Sequence, residues 1–484
     1  MKTRTCWNLL VGGAVWAHTA VVAAQPEEDV IRGIDALADE YAGIAQRIWD
    51  YAEVGYLETQ SSELLQSTLQ DAGFSVEAGA AGMPTAFVAS YGSGKPIVGI
   101  LAEFDALPGI SQDRSPERSV LAGKSAGHAC GHHLFGTGSV AAAIATKEWL
   151  ERTGTTGTIR LYGTPAEEGG AGKVYMVREG LFSDVDAVLH WHAADRNSAS
   201  ANSSLANKSA KFRFHGLSAH ASGAPERGRS ALDGVEAMNN MVNMLREHVP
   251  QETRIHYVIT SGGAAPNVVP DFAEVYYYVR NPDPKNVIAI FERVVKAAEG
   301  AALGTETTMG YEVIHGIYAL LPNETLGRAM HANLERVGGV AYTDEERLFA
   351  EKVRESFTGD VPALSSAGEI EEFEVKEEGS GGSTDVGDVS WVVPTAGMRA
   401  ATYVPGTPGH SWQAIASGGS TIGNKGMIVA AKTLTLTAID LFEDPEIVAE
   451  AKREWQRRVG PDFVYQSLVG DRPPPLDYRK PATQ

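Results

Sequence analysis

From residue 28 to 73, the stretch EDVIRGIDALADEYAGIAQRIWDYAEVGYLETQSSELLQSTLQDAGF repeats apolar residues at three- and four-residue spacing. That period predicts two amphipathic helices, separated near Gly55 and ending at Gly73. SVEAG, TAFVASYG and PIVGILAEFDAL then read as strands, the last a buried run that ends in charge. GSVAAAIATKEWLERTG reads as a helix, while TIRLYGTPAEEGG and VDAVLHWHAAD each read as a strand followed by a loop. Strands alternating with helices predict an α/β domain that displays polar residues at its strand ends.

Near residue 208 the pattern changes. SAKFRFHGLSAH alternates as an exposed strand does, SALDGVEAMNNMVNMLREHV is a long helix, and RIHYVITSGG and AEVYYYVR are strands. PKNVIAIFERVVKAAEGAAL supplies a second helix and TTMGYEVIHGIYA a last strand, giving β-α-β-β-α-β order. The chain thus divides into a first segment of a larger domain (25–207), an inserted α+β domain (208–322) and a return to the larger domain (323–484). ALSSAGEIEEFEVKEEGSGGSTDVGDVS, acidic and then rich in Gly and Ser, is expected to be an exposed or mobile loop. The tail GDRPPPLDYRKPATQ is expected to be extended and to wrap the surface.

The N-terminus adds a location. MKTR precedes the mostly apolar WNLLVGGAVWAHTAVVAA, and Val22, Ala23 and Ala24 suit a small-residue cleavage site, so residues 1–24 read as a secretory signal. No later segment reaches the roughly 18–20 apolar residues of a spanning helix, so no stable membrane anchor is expected. The expected mature protein is exported, periplasmic or secreted. A formal charge of −20 over 484 residues argues against a nucleic-acid partner. Of two cysteines, Cys6 leaves with the signal, and a lone Cys130 forms no internal disulfide; it should be buried, metal-bound or reactive.

Three clusters carry candidate chemistry. AGHACGHHLFGTGS holds His128, Cys130, His132 and His133; PAEEGG holds Glu167 and Glu168; LHWHAAD holds His190 and His192, and PGTPGHSW adds His410. Cys130, His132, Glu168, His192 and His410 make five ligands, which fit two ions sharing a bridge better than one ion. Thiolate and imidazole favour Zn²⁺, with Mn²⁺, Co²⁺ or Ni²⁺ as alternatives. Glu167 is left free as a base, the arrangement of metal-assisted hydrolysis. Two rivals stay open: a cysteine hydrolase with Cys130 as nucleophile, and a catalytically silent metal- or peptide-binding scaffold.

LAEFDALPG, GHACGHHLFGTG, GTPAEEGGAGK, WHAAD, GLSAHASGAPERGRSALDGV and GGAAPNVVPDFAEVYYYVR together resemble the aminoacylase/carboxypeptidase family of dinuclear metallopeptidases, over residues 30 to 440 or so. Within it the likeness is to the B-type aminobenzoyl-glutamate hydrolases. The resemblance implies a zinc-peptidase-like catalytic domain with a central mixed sheet and an inserted lid and dimerisation domain. It implies Cys130, His132, Glu168, His192 (rather than His190) and His410 as ligands to two divalent ions, and Glu167 as catalytic base. It implies Asp105 as the acid orienting a ligand, with Glu103 beside it. His220 matches a histidine that reaches a neighbouring subunit's site in a homodimer and supports the oxyanion, and Asn267 and Arg280 match positions holding the substrate's backbone or carboxylate. Many members of the family it resembles carry Asp or Asn where this chain has His133, which therefore stands as a spare ligand or as a supporting donor that, with His128, braces the loop. The substrate implied is a small N-acyl or aminobenzoyl amino acid or dipeptide with a free carboxylate.

Overall fold

The computed structural model describes residues 26–377, 379 and 382–479; the expected signal, residues 1–24, lies outside the described residues. In chain order the longer strands are β1 (Ser75–Ala78), β2 (Phe87–Ser93), β3 (Ile97–Ala102), β4 (Gly157–Gly163), β5 (Ala187–Ala194), β6 (Ala206–His215), β7 (Arg254–Ser261), β8 (Phe272–Asn281), β9 (Thr308–Ile317) and β10 (Thr395–Ala401).

Six of them form one mixed sheet in the order β1-β2-β4-β3-β5-β10. β4, β3, β5 and β10 run parallel, while β1 and β2 are antiparallel at one edge. β3 reads IVGILA without polar alternation because helices cover a parallel sheet on both faces; only Ile97 keeps appreciable exposure. The helices His132–Thr153 and Thr421–Glu443 pack on each other and on this sheet, and both are buried along most of their length. Parallel strands share one carboxyl edge, and that edge is where α/β sheets assemble sites.

The other sheet, β7-β8-β6-β9, is antiparallel. Phe212, Phe214, Val275, Tyr277 and Val279 turn one face onto Val235, Met238, Ile290, Phe291 and Val294 of the helices Ala231–Leu245 and Pro284–Gly304. Its other face is polar, carrying Lys211, Arg213, Glu274 and Tyr276. The predicted β-α-β-β-α-β order is the observed one, and the fold is the mixed α/β architecture expected.

Four local expectations are corrected. The first helical stretch contains three helices, Pro26–Ala36, Ala38–Tyr51 and Thr59–Asp71, because the chain also breaks at Leu37, where no Gly or Pro signals it. The alanine-rich helix begins at His132, six residues before Gly138, because Gly131 in a left-handed conformation starts it. His190 and His192 lie inside β5, not in a loop after it, since β5 continues to pair with β10 through Ala194. The acidic, Gly/Ser-rich segment is exposed only in part. Its end is core: Asp385 and Asp388 are buried, and Val386–Ser390 is a short buried helix.

Among the described residues, no helix is long and apolar enough to cross a membrane.

Candidate active site

Gly131 explains how Cys130 and His132 come to one point. Its φ is 75°, and a Cβ there would lie 2.4 Å from the Ala193 Cβ and 2.6 Å from the Tyr403 hydroxyl. Only glycine fits that turn and that approach. The chain reverses over it, so Cys130 and His132 both face the carboxyl edge of the large sheet. Glu103 and Asp105 follow β3, Glu167 and Glu168 follow β4, His192 sits near the end of β5, and His410 comes from the loop after β10. His410 holds a left-handed φ of 57°, a conformation that costs a non-glycine residue about 1–3 kcal/mol.

Two sets of donor atoms share one sulfur. Cys130, His132 and His192 offer ligand atoms within 4.8 Å of one another, and so do Cys130, Glu168 and His410. A third set, Glu103, His132 and Glu167, overlaps them. The Cys130 Sγ lies 3.3 Å from His192 Nε2, and His410 Nε2 lies 3.5 Å from Glu168 Oε1. Both inner imidazoles are fixed from behind. His132 Nδ1 bonds Asp105 Oδ1 at 2.9 Å and His192 Nδ1 bonds the Ala193 carbonyl at 2.8 Å, so each presents its Nε2 lone pair inward. The other Asp105 oxygen accepts from the Glu168 backbone N–H at 2.9 Å, so one carboxylate orients two ligands.

These donors fit divalent cations. His132 Nε2, Glu168 Oε1 and Glu103 Oε2 are buried and make no well-formed hydrogen bond, a condition that native interiors rarely leave unexplained. Soft sulfur with imidazole and carboxylate is the donor chemistry of zinc-type sites.

Electrostatics set the carboxylates apart. Burial, with Glu103, Glu168 and Asp385 nearby, holds Glu167 well above the usual carboxylate range. Burial also raises Glu168, with Asp105 adding to it, and pushes the Cys130 thiol up. His192 is driven down to about 4 by burial and by His132. For His132, burial opposes the charge, but Cys130, Glu103 and Asp105 outweigh it and raise the group.

Four buried groups to which sequence reasoning assigns no role complete the site. Glu103 lies 3.1 Å from His132 Nε2, its other oxygen meets Lys173 Nζ at 2.7 Å, and Lys173 meets Asp385 at 2.6 Å. Glu103 stands two residues from Asp105, a usable signal; nothing in the local sequence marks Lys173 or Asp385 as partners. Glu58, pushed up to about 8 by burial and by Asp105, accepts from the Ala166 N–H and supports the glutamate loop.

Other expected residues fall in different places. His128 Nε2 meets the Ile48 carbonyl and His133 Nε2 the Gly418 carbonyl, both at 3.0 Å. Both rings are buried, with centroids 4.9 Å apart, and His133 belongs to none of the three ligand sets. A cleft of about 650 Å³ runs from Cys130, Glu167, Glu168, His192 and His410 to Arg280 on β8. Arg280 lies over the Tyr278 ring at 5.4 Å, and its Nε has no partner. His220 and Asn267 are not in the cleft lining of this chain. They sit together on an exposed turn of the small domain, where His220 pairs with Val268 and the Asn267 carbonyl accepts from the Ala221 N–H.

Comparison with known proteins bears on this arrangement. Residues 203–306 match the peptidase dimerisation domain family. The chain is 42% identical over 450 residues to the B-type subunit of p-aminobenzoyl-glutamate hydrolase from Escherichia coli K12, covering 88% of this chain and 93% of that one. It is 27% identical to the Xaa-Arg dipeptidase of Mus musculus, over 87% and 90% of the two chains. A Bacillus subtilis structure described as a dinuclear metal-binding peptidase of the M20 family shares the fold, with a TM-score of 0.57 at 17% identity over 84% of this chain and 99% of that one.

Proposed function

Because the chain belongs to the M20 family of peptidases and amidohydrolases, hydrolases of amide bonds, we propose that it is a metal-dependent amidohydrolase acting on N-acyl or aminobenzoyl amino acids or small dipeptides. The observation that carries this reading is the pair of ligand sets joined through Cys130, with Glu167 beside them. Cys130, His132 and His192 would hold one divalent ion, and Cys130, Glu168 and His410 the other; Zn²⁺ suits these donors, with Mn²⁺, Co²⁺ or Ni²⁺ as alternatives. When bound, such ions polarise an amide carbonyl and acidify water.

The chain's own residues do the rest. Glu167 takes the proton of the attacking water and returns it to the leaving amine, a transfer for which a raised carboxyl pKa is matched. Asp105 fixes the tautomer of His132 and the backbone of Glu168. Arg280, its Nε unpartnered at the far end of the cleft, takes the substrate carboxylate through its planar fork. His220 and Asn267 would reach the cleft of a second copy in a homodimer, where an imidazole N–H supports the developing oxyanion. The exposed Tyr257, Val258 and Ile259 of edge strand β7 favour such a pairing. Residues 1–24 are the basis for proposing export to the periplasm or beyond.

The Cys130–His192 contact also fits a thiol hydrolase. A nucleophilic cysteine, however, needs a depressed pKa, and burial moves this one upward. The test is a panel of N-acyl amino acids before and after EDTA dialysis. The proposal expects activity that EDTA abolishes and Zn²⁺ or Mn²⁺ restores. Activity that survives chelation identifies the thiol enzyme, and metal binding without turnover on any substrate identifies a silent scaffold.

A further inference from the structure

Tyr478 and Arg479 of the C-terminal tail lie against the back of the glutamate loop. The Tyr478 hydroxyl donates to the Glu168 carbonyl at 3.1 Å, and the Arg479 guanidinium donates to the same oxygen. With Asp105 taking the Glu168 N–H, that residue's backbone is held on both sides. The fit is close: the Tyr478 ring meets Tyr56 edge-on at 5.7 Å, Tyr56 donates to the Gly170 carbonyl at 2.8 Å, and a Cβ on Gly55 would lie 2.2 Å from the Tyr478 hydroxyl. The loop needs such support. Ala166 and Ala171 both hold left-handed φ angles, of 58° and 57°.

The same tail is fastened at its other end to the small domain. Arg472 donates to the Val313 carbonyl and lies 3.4 Å from both the Ile314 carbonyl and the Glu312 carboxylate, all on β9. Arg178 of the large domain holds the Gly470 and Arg472 carbonyls at 3.1 and 2.7 Å, and Leu468 and Val469 are buried.

We infer that residues 468–479 form a positioning strap that ties the small domain to the Glu167–Glu168 loop, so that Tyr478 and Arg479 set the posture of Glu168 and Arg472 links that posture to the lid. The inference rests on the reading of Glu167 and Glu168 as the working carboxylates. Tyr478 and Arg479 touch neither substrate nor the reacting atoms in this scheme; they act through Glu168.

The test compares Tyr478→Phe/Arg479→Ala, Arg472→Ala and their combination in the full-length protein. Each is read by kcat, KM, Zn²⁺ affinity by titration of the apoprotein, and thermal midpoint. The double variant should lose about tenfold in kcat and in Zn²⁺ affinity, the scale seen when groups supporting a ligand are removed, with KM and midpoint near parental values. Arg479→Lys, which keeps a donor, should recover part of the loss when it replaces the alanine. Adding Arg472→Ala to the double variant should cost little more, because both cuts sever one strap. Parental kcat and Zn²⁺ affinity in the double variant would overturn the inference, as would losses that simply multiply. Zn²⁺ affinity and midpoint are read without turnover, so the outcome separates from the site reading itself. Normal turnover by Glu167→Gln defeats that reading whatever the tail does, whereas an inactive Glu167→Gln beside parental tail variants defeats only the strap.

Discussion

Asp105 shows how much one side chain carries here. Its two oxygens hold His132 and Glu168, which belong to different ligand sets, so Asp105→Ala should loosen both. Zn²⁺ affinity should fall by about 10–100-fold, read by titration of the apoprotein; unchanged affinity would remove Asp105 from its orienting role. Lys173 is the opposite case, a buried cation between Glu103 and Asp385. Lys173→Met leaves two buried carboxylates uncompensated and should cost about 3–5 kcal/mol in urea unfolding. Asp385 was not legible as a partner of Lys173, because it is more than two hundred residues away and pairs only once the chain has folded. Cys130, His132, Glu167, Glu168, His192 and His410 stood out in the sequence by residue type and by their places at strand ends, and the fold gathers them at one carboxyl edge. His133 reads in the sequence as a spare ligand or as a donor that braces the loop, and its ring turns to the Gly418 carbonyl.

At the scale of elements, the strands and the long helices followed their hydrophobic period, and the errors fell where that period is silent. The helix starting at His132 carries histidines and glycines in its first turns, so nothing marked its start except the one glycine that could make the turn. The segment around Asp385 and Asp388 looked polar and loose, yet its two acids are buried against Lys173 and against Tyr318 and Tyr465. Asp388, on the short helix Val386–Ser390, is pushed up to about 7 by burial despite accepting from Tyr465 at 2.6 Å and Tyr318 N–H at 2.9 Å. An aspartate in the unfolded chain titrates near 3.9. Between about pH 4 and 7 the folded state therefore keeps a proton that the unfolded state has released, and stability falls as pH rises through that window. Asp388→Asn, uncharged throughout, should gain on the parent by about 3 kcal/mol between pH 5 and 8 in paired urea titrations. An equal difference at both pH values would show that Asp388 does not titrate there.

At the scale of the molecule, the cleft joins two domains, and the two residues expected to act from the small domain's turn, His220 and Asn267, lie outside its lining. His220 and Asn267 are exposed on the small domain, within the segment that matches the peptidase dimerisation domain family. If His220 acts across a dimer, mixing inactive His220→Ala with inactive Glu167→Gln and allowing subunits to exchange should restore about a quarter of parental activity. Restoration fails if each chain is self-sufficient.

In the proposed function Glu167 moves the proton while other residues hold the metals, and the two tasks separate in one variant. Zn²⁺-loaded Glu167→Gln, assayed for metal content and for turnover of the best N-acyl amino acid, should hold as much metal as the parent while kcat falls by about a thousandfold. Parental metal content with near-parental kcat would contradict the account.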